Sequence, residues 1–283
     1  MNMIIDSHHH LWDRSQTDFD YSWQESEELK TICRSFLPND LEHLIHSAGV
    51  SGTVVVQTQH NLEENRWALH LAEKNDWIKG VVGWIDLASP HCEDELLEFK
   101  QHPKFVGLRH VTQDEPDPDF IIREDISRGL GILEKHNMPF DLLFYRQHLK
   151  HAETVARRFP GLRLVIDHLG KPNIQSAEIE NWKADLGRAA EHENVFCKLS
   201  GMITEADWQT WQSTDLQPYV DTAIELFGPT RCMFGSDWPV CLLAGSYQQV
   251  LDTFRTCIAA LGATDQSQIL SKTAIDFYQL SSP

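Results

Sequence analysis

Three consecutive histidines stand near the start of the chain, in the segment DSHHHLW at residues 6–12. Side chains two positions apart on a β-strand point to the same side, so His8 and His10 are expected to leave the end of one strand together. Two converging imidazoles can bind a divalent metal ion or donate hydrogen bonds to a substrate carbonyl. His9 faces the other way and is expected to be structural. A histidine cluster without function, such as the remnant of a tag, is the alternative, but an apolar strand leads into these histidines.

A carboxylate ends another apolar run near the far end of the chain, in the segment RCMFGSDWP at residues 231–239. Asp237 lies at a turn flanked by Gly235 and Pro239, where a buried carboxylate is costly unless it has a partner. If it faces the histidines, it is a suitable general base for a water molecule. The alternative is a helix N-cap or an aspartate that only fixes the loop.

Three other apolar runs end in polar side chains, in the motifs GLRH (residues 107–110), DHLGKP (167–172) and KLSG (198–201). The polar residues at these ends include Arg109, His110, His168, Lys171 and Lys198. The carboxyl ends of barrel strands line one mouth, where barrel enzymes perform their chemistry. Any one residue could be an ordinary loop residue, and Lys198 has the weakest case because its phase could turn it outward. Their joint placement favours a functional site.

Tryptophans near the same strand ends have apolar ring faces that suit stacking on a sugar ring. Trp12, Trp84 and Trp238 are the candidates, and each could equally be a large core residue. Gln57 also lies near a strand end, where it could pack or line the mouth. Asp6 lies inside the first strand and is expected to hold structure or to orient a histidine.

Short apolar, β-branched runs alternate with longer helical patterns along the whole chain. Several runs are continuously apolar, as expected for parallel strands covered on both faces. The predicted strands are residues 3–8, 52–58, 79–86, 105–111, 139–144, 163–168, 195–200 and 232–237. Eight strand–helix units predict an α/β fold of the (β/α)8 TIM-barrel type. An open doubly wound sheet is the alternative, but its glycine-rich first turn does not follow the first strand.

Amphipathic patterns occupy the intervals between the strands. Asn39 is predicted to cap the first helix and Gly49 to end it. Further helices are predicted at residues 125–136, 149–159 and 247–261, and another ends at Gly228-Pro229. Residues 13–37, rich in acidic and aromatic side chains, are expected to form a long loop over the mouth of the barrel.

The composition fits one domain over residues 1–283, because α/β barrels run to about 250 residues as a unit. The formal net charge of -18 disfavours nucleic acid and anionic membranes as partners. No run approaches the roughly 18 apolar residues of a membrane span. Six scattered cysteines and an N-terminus without a signal-peptide pattern predict reduced thiols and a cytoplasmic protein. The sequence gives no indication of oligomeric state.

Five motifs together resemble one enzyme superfamily. They are DxHxHxW at residues 6–12, GLRH at 107–110, DHLGKP at 167–172, KLSG at 198–201 and FGSDWPV at 234–240. The sequence resembles the amidohydrolase superfamily, in the branch that contains L-fuconolactonase and L-rhamnonolactonase and, more distantly, 2-pyrone-4,6-dicarboxylate lactonase. The resemblance implies a (β/α)8 barrel with His8, His10, His168 and Asp237 at its active centre.

The resemblance leaves two possibilities for the metal content. Members with a binuclear centre hold it with a carboxylated lysine or a glutamate and two further histidines, whereas Arg109 and His110 end the fourth predicted strand here. Two metal ions are therefore not expected. The expectation is either no required cofactor or one divalent ion, zinc, held by His8, His10 and Asp237.

The expected reaction is hydrolysis of a small lactone to its acid, with a sugar 1,5- or 1,4-lactone such as L-fuconolactone or L-rhamnonolactone as substrate. Asp237 is the candidate base, and the carbonyl oxygen would be polarised by histidines or by Arg109, directly or through zinc. The residues expected to bind the substrate are Arg109, His110, Lys171, Trp84 and Trp12.

Three alternatives stay open at this point. A metal-dependent decarboxylase of an aromatic or muconate acid would need tightly bound zinc and cations for the substrate carboxylates. A pyrone-dicarboxylate lactonase could use Arg109, Lys171 and Lys198 for two carboxylates. A catalytically inactive barrel that only binds ligands is less favoured, because a binding module does not need a base that faces paired histidines.

Overall fold

The computed structural model describes residues 3–281 and contains one sheet of eight parallel strands in sequence order. The strands are β1 (Ile5–His9), β2 (Gly52–Val56), β3 (Ile78–Gly83), β4 (Phe105–His110), β5 (Phe140–Leu142), β6 (Leu164–Ile166), β7 (Val195–Leu199) and β8 (Cys232–Phe234). Two backbone hydrogen bonds join the segment after β8 to β1, from Asp237 N to His8 O (2.8 Å) and from His10 N to Trp238 O (2.7 Å). The sheet therefore closes into the predicted (β/α)8 barrel.

Helices lie between the strands and cover the outside of the sheet. They are α1 (Pro38–Ala48), α2 (Leu62–Lys74), α3 (Cys92–Lys100), α4 (Glu124–Lys135), α5 (His151–Arg158), α6 (Glu180–Ala190), α7 (Ser213–Phe227) and α8 (Tyr247–Cys257). The chain then continues through α9 (Ala263–Ser267), a π-helical turn (Gln268–Lys272) and α10 (Thr273–Tyr278). No helix in the described residues is long and apolar enough to cross a membrane.

The first helix ends as predicted but begins differently. Gly49 follows it with a left-handed φ of 72°, a conformation that glycine adopts without a Cβ penalty. Its first residue is Pro38, so Asn39 lies inside the first turn and the prediction that it caps the helix was wrong. Asp40 supplies the capping contact instead, because its carboxylate accepts a hydrogen bond from Leu37 N at 2.9 Å. Proline suits the first helical position, where a backbone N–H is not needed.

The predicted strands are correct in number and order, but several extend too far at their carboxyl ends. The strand predicted at residues 163–168 ends at Ile166, and the one predicted at 232–237 ends at Phe234. His168 and Asp237 have left-handed backbone angles (φ 54° and 57°), which an extended strand does not allow. The chain leaves the sheet at these points to form the mouth of the barrel.

The last helix packs under the barrel. Phe277 and Tyr278 of α10 belong to an apolar cluster with Ile5, Val54 and Val165, which come from three different strands. The cluster is buried, so the end of the barrel opposite the strand carboxyl ends is filled by side chains. This packing leaves the carboxyl ends of the strands as the place for a ligand.

Candidate active site

A cavity of about 460 Å³ opens at the carboxyl ends of the strands. Six of the residues predicted for the site lie in its wall: His10, Trp12, Arg109, His168, Lys171 and Asp237. Trp23 and Leu29, from the segment at residues 13–37, line it too, as expected for a loop over the mouth. The strand ends therefore bring residues distant in sequence into one cavity, large enough for a small ring compound.

Three histidines surround the carboxylate of Asp237. Its Oδ1 lies 3.4 Å from His10 Nε2, 3.8 Å from His8 Nε2 and 3.9 Å from His168 Nε2. His8 Nε2 and His10 Nε2 are 3.2 Å apart. All four side chains are buried, with exposed fractions of 6% or less. The four residues predicted for the active centre thus form one compact group.

Local backbone geometry explains how this group is built. The closure of the barrel pairs Asp237 N with His8 O, which fixes the two residues side by side. Gly201 gives His168 its space, because a Cβ at this glycine would lie 2.5 Å from His168 Nδ1. Gly235 gives His8 its space in the same way, because a Cβ at this glycine would lie 2.7 Å from His8 Cβ. The glycines of the KLSG and FGSD motifs are therefore needed for close packing around the histidines.

A network of buried charges lies beneath His8. Lys198 Nζ is 2.5 Å from Asp141 Oδ2, 3.0 Å from Asp167 Oδ1 and 3.1 Å from His8 Nδ1. Arg109 Nη1 donates to Asp167 Oδ2 at 3.1 Å. Both carboxylates and the lysine are completely buried, so each charge depends on its partners in the network.

Sequence reasoning did not identify most of this network. Lys198 was expected to have the weakest case for a role in the site, yet it points into the barrel and contacts His8. Asp141 was missed, since it lies inside a short apolar strand in the segment PFDLL. A signal for it was present, because a charged residue in a buried strand requires a partner. Asp167 lies in the DHLGKP motif, but it follows β6 and pairs with Arg109 of β4 and Lys198 of β7, contacts between strands that the sequence does not show.

The charge states of the central group follow from burial and neighbours. Burial lowers the pKa of His168 to about 4 and lowers the pKa of His8 well below its usual value. Burial would raise the pKa of Asp237, but His168, His10 and Lys171 outweigh this effect and hold it below its usual value. At neutral pH, Asp237 is therefore an ionised carboxylate that can accept a proton, next to neutral imidazoles of His8 and His168.

The hydrogen bonds of the histidines determine which nitrogen faces the cavity. His10 Nδ1 lies 2.8 Å from Val56 O, and a carbonyl oxygen can only accept, so Nδ1 carries the proton. The other ring nitrogen, Nε2, faces Asp237 Oδ1 at 3.4 Å and His8 Nε2 at 3.2 Å. His8 Nε2 accepts from Arg109 Nη1, at 3.3 Å, because a guanidinium can only donate, and His8 Nδ1 carries the proton and donates to Asp167 Oδ1 at 3.3 Å.

This donor set fits one divalent cation. His8, His168 and Asp237 each offer a ligand atom within 4.8 Å of the others, and His10 Nε2 adds a fourth. Ligand atoms of tetrahedral zinc are roughly 3.3 Å apart, close to the observed separations. The guanidinium of Arg109 beside His8 opposes an added positive charge and is expected to weaken binding.

A second group of potential ligands, His60, His110 and Glu115, is satisfied without a metal. His110 Nδ1 accepts from Trp84 Nε1 at 3.1 Å, so its Nε2 carries the proton and donates to Glu115 at 2.7 Å. His60 Nε2 accepts from Val111 N at 3.0 Å. His110 and Trp84 thus bond to each other beside the cavity and are not in its wall, so their contact with substrate stays a prediction.

Trp12 borders the cavity, whereas His9 points away from it. Trp12 contributes to the cavity wall while its indole N–H donates to Arg34 O at 2.6 Å. Its whole side chain is buried, so it packs as a core residue and also borders the ligand space. His9 points away from the cavity and bonds through Nε2 to Thr53 Oγ1 at 2.8 Å, in agreement with a structural role.

Glu64 anchors one side of the cavity and predicts a pH-dependent stability. Its buried carboxylate accepts hydrogen bonds from the backbone of Thr58, a cavity residue, and of Gln59. Burial raises the pKa of Glu64 to about 7, above its ordinary value of 4.5. An acid whose pKa is raised in the folded protein contributes stability at pH values below its ordinary pKa. This contribution is lost as the pH rises toward 7.

We expect that the Glu64→Gln variant does not lose this stability as the pH rises. Between about pH 5 and pH 7.5, the free energy of unfolding of the unmodified protein should fall by about 2 kcal/mol relative to the variant. Urea unfolding at the two pH values measures the difference. Glu63→Gln, at an exposed position next to it, is the matched control and should follow the unmodified protein. Parallel pH profiles for the unmodified protein and Glu64→Gln would contradict the prediction.

Fold and site together define a class of protein, a (β/α)8 barrel with paired histidines at the carboxyl end of β1 and a late aspartate facing them. The amidohydrolase family model matches residues 5–280, and the chain belongs to this family. The expectation drawn from the five motifs is thereby confirmed.

Two named lactonases are similar to the chain. An L-fucono-1,5-lactonase of Burkholderia ambifaria is 35% identical over an alignment of 293 positions, which covers 100% of this chain and 98% of that protein. An L-rhamnono-gamma-lactonase of Scheffersomyces stipitis is 26% identical over 215 residues, which cover 65% of this chain and 62% of that protein.

A solved amidohydrolase structure from Burkholderia multivorans, with bound zinc, superposes with a TM-score of 0.92. It is 35% identical, and the match covers 99% of this chain and 100% of that one.

Proposed function

We propose that this chain is a lactonase that hydrolyses a sugar lactone, of the L-fucono-1,5-lactone type, to the aldonic acid. The full-length similarity to an L-fucono-1,5-lactonase supports this reaction. The observation that carries it is the ionised carboxylate of Asp237, held in the cavity wall against three imidazoles. The cavity of about 460 Å³ has room for one sugar ring and a water molecule.

The first half of the reaction is addition of water. Asp237 accepts a proton from the water molecule while the water oxygen attacks the lactone carbonyl carbon. The carbonyl oxygen gains negative charge, which Arg109 stabilises from the cavity wall, where its guanidinium is already fixed by Asp167 and by Gln57 O. Preorganised donors of this kind act without reorganisation at the moment of reaction.

The second half is opening of the ring. The tetrahedral intermediate collapses, the bond between the carbonyl carbon and the ring oxygen breaks, and the ring oxygen leaves as an alkoxide. Asp237, now protonated, returns the proton to this oxygen, so the base becomes the acid of the second step. Water is consumed, and one carboxylic acid and one hydroxyl group are formed, in balance with lactone hydrolysis.

A zinc ion is the proposed optional cofactor. Its ligands would come from His8, His10, His168 and Asp237, the donor set that fits one divalent cation. When bound, zinc would polarise the carbonyl and lower the pKa of the attacking water. The guanidinium of Arg109 lies next to this donor set and opposes the charge of a bound zinc ion. We therefore propose that the activity does not strictly require zinc.

The charge of the cavity disfavours the alternatives with carboxylated substrates. Its wall contains three carboxylates, Asp114, Glu205 and Asp237, against two cations, Arg109 and Lys171. Lys198, which was considered for a substrate carboxylate, is fully buried in ion pairs beneath the cavity. A pyrone-dicarboxylate or an aromatic acid would therefore meet a net negative wall, whereas a neutral sugar lactone would not.

The proposed setting is the cytoplasm, with a small neutral lactone as partner and without nucleic acid or membrane partners. All six cysteines are free thiols, as expected in a reducing compartment. The net charge of -18 opposes binding to nucleic acid.

The test is acid release from a panel of lactones, followed with a pH indicator. The panel contains L-fucono-1,5-lactone, other sugar 1,5- and 1,4-lactones and 2-pyrone-4,6-dicarboxylate, with protein dialysed against chelator and with zinc restored. We expect rapid hydrolysis of a sugar lactone, retained after chelation. Zinc content measured by mass spectrometry on the same samples separates a lost metal from a lost activity. Turnover of the pyrone alone, or hydrolysis of no lactone by zinc-loaded protein, would overturn the proposal.

A further inference from the structure

One ion pair in the cavity wall has no part in the reaction steps. Lys171, after β6, and Glu205, after β7, face each other with Nζ and Oε1 4.0 Å apart. Their side chains are mostly buried, with exposed fractions of 17% and 25%. Both lie in the same cavity wall as Asp237, so a ligand that reaches Asp237 also meets this pair.

The backbone holds this pair in place. Lys171 N donates to His168 O at 2.8 Å within the left-handed run that also positions His168. Glu205 N donates to Met202 O at 3.1 Å, and Glu205 O accepts from Gln175 N at 3.0 Å, so the loops after β6 and β7 are joined. The pair therefore has a fixed position relative to the catalytic group.

The pair has hydrogen-bonding capacity left over. A lysine ammonium has three donors and a carboxylate has about four acceptor sites, and a separation of 4.0 Å is too long for a hydrogen bond between them. Among the described residues, no side chain makes a hydrogen bond to the Glu205 carboxylate or the Lys171 ammonium, and the ammonium also lies 4.9 Å from the centroid of the Tyr145 ring. Neighbouring hydroxyl groups of a sugar ring offer the donors and acceptors that would complete both groups.

We propose that Glu205 and Lys171 bind the ring hydroxyl groups of the substrate, and that Glu205 makes the site select uncharged polyhydroxylated lactones over carboxylated ones. Glu205 accepts hydrogen bonds from two hydroxyl groups, and Lys171 donates to a hydroxyl oxygen. The carboxylate of Glu205 repels a substrate carboxylate at the same position. The inference rests on the proposed lactonase function and adds the residues that recognise the ring.

The same ring without its hydroxyl groups separates recognition from chemistry. L-Fucono-1,5-lactone and δ-valerolactone share the six-membered ring and the ester, but only the first carries hydroxyl groups. Glu205→Ala should lower kcat/KM for the sugar lactone by about 10- to 100-fold, mainly through KM, because charged hydrogen bonds are lost. For δ-valerolactone, the change should stay within about threefold, since no hydrogen bond to Glu205 exists there.

Two further variants sharpen the experiment. Glu225→Ala removes a carboxylate that also pairs with a lysine, Lys183 at 3.2 Å, but lies on the surface, and it should leave both rates unchanged. Glu205→Gln keeps the shape and removes the charge, so it should raise kcat/KM for 2-pyrone-4,6-dicarboxylate relative to the sugar lactone.

The outcomes distinguish the inference from the function on which it rests. Hydrolysis of no lactone by the unmodified protein would refute the lactonase proposal itself. Hydrolysis by the unmodified protein with equal losses on both lactones in folded Glu205→Ala would refute only the role of Glu205. If δ-valerolactone is not turned over at all, monodeoxy lactones take its place. Glu205→Ala must then lose less on at least one of them than on the parent lactone, or the inference is refuted.

Discussion

Replacement of Asp237 by asparagine should lower kcat for lactone hydrolysis by about 10²–10⁴-fold. Among the described residues, Asp237 is the carboxylate that faces all three imidazoles of His8, His10 and His168, with its Oδ1 3.4 to 3.9 Å from their Nε2 atoms. An amide of the same shape cannot take the proton of the attacking water. Steady-state rates with the preferred sugar lactone measure the effect.

Asparagine is the appropriate replacement because of the backbone at this position. Asp237 has φ of 57°, a left-handed conformation that asparagine tolerates better than most residues. The hydrogen bonds of its backbone, to His8 O and from Cys241 N, do not involve the side chain. We therefore expect Asp237→Asn to unfold at nearly the same temperature as the unmodified protein.

Asp114→Asn is the matched control for charge. It removes another carboxylate from the wall of the same cavity, and kcat should change by less than about tenfold because Asp114 takes no proton from water. Near-normal turnover by folded Asp237→Asn would end the assignment of Asp237 as the base. Equal loss in both variants would attribute the effect to the cavity charge instead.

Replacement of Lys198 by methionine should cost about 3–5 kcal/mol of unfolding free energy at neutral pH. Lys198, Asp141 and Asp167 have no exposed side-chain surface, so removal of the lysine leaves two carboxylates short of a partner in the interior. Arg109 still pairs with Asp167, whereas within residues 3–281 Asp141 keeps only the hydroxyl group of Tyr278. The destabilisation should therefore come mainly from Asp141.

The pH dependence of this effect has a definite sign. Burial raises the pKa of Asp141 to about 6 although Lys198 lowers it, so without the lysine the pKa should rise further. A raised pKa of an acid means stability present at low pH and lost as the pH increases. The cost of Lys198→Met should thus be smaller near pH 5 than near pH 7.5. Chemical denaturation at both pH values measures it.

A double variant identifies the cause. Lys198→Met combined with Asp141→Asn removes both charges and should recover much of the lost stability, because the remaining Asp167 retains Arg109. Lys183→Met, which breaks a surface pair with Glu225, should cost less than about 1 kcal/mol. If the double variant were no more stable than Lys198→Met alone, the uncompensated charge of Asp141 would not be the reason.

The number and order of the strands and the main site residues were predictable from local patterns. Apolar runs bounded by polar strand ends give the barrel, because each strand and helix buries its own apolar face. His8 and His10 share one side of a strand through the period of two, and this relation is visible in the sequence itself. The same reasoning correctly assigned His9 to a different environment, where it contacts Thr53.

The exact ends of the elements were less predictable. The strands containing His168 and Asp237 were predicted too long, because an apolar run does not show where the backbone turns into a left-handed conformation. Asn39 was taken as a cap because of its residue type, whereas the proline before it and Asp40 after it determine the first turn. Local competition between neighbouring residues decides such boundaries.

The sequence by itself determined the barrel, the pair of histidines at the end of the first strand and the late carboxylate that faces them. Only the tertiary structure decided that Lys198 turns inward onto Asp141 and Asp167, and that Lys171 meets Glu205 across two loops. The physical reason is the distance along the chain over which each kind of interaction acts. Periodicity and strand ends depend on neighbours along the chain, whereas the pairing of charges depends on distances between strands that the sequence does not contain. Closure of the barrel fixes those distances, and with them the arrangement of the site.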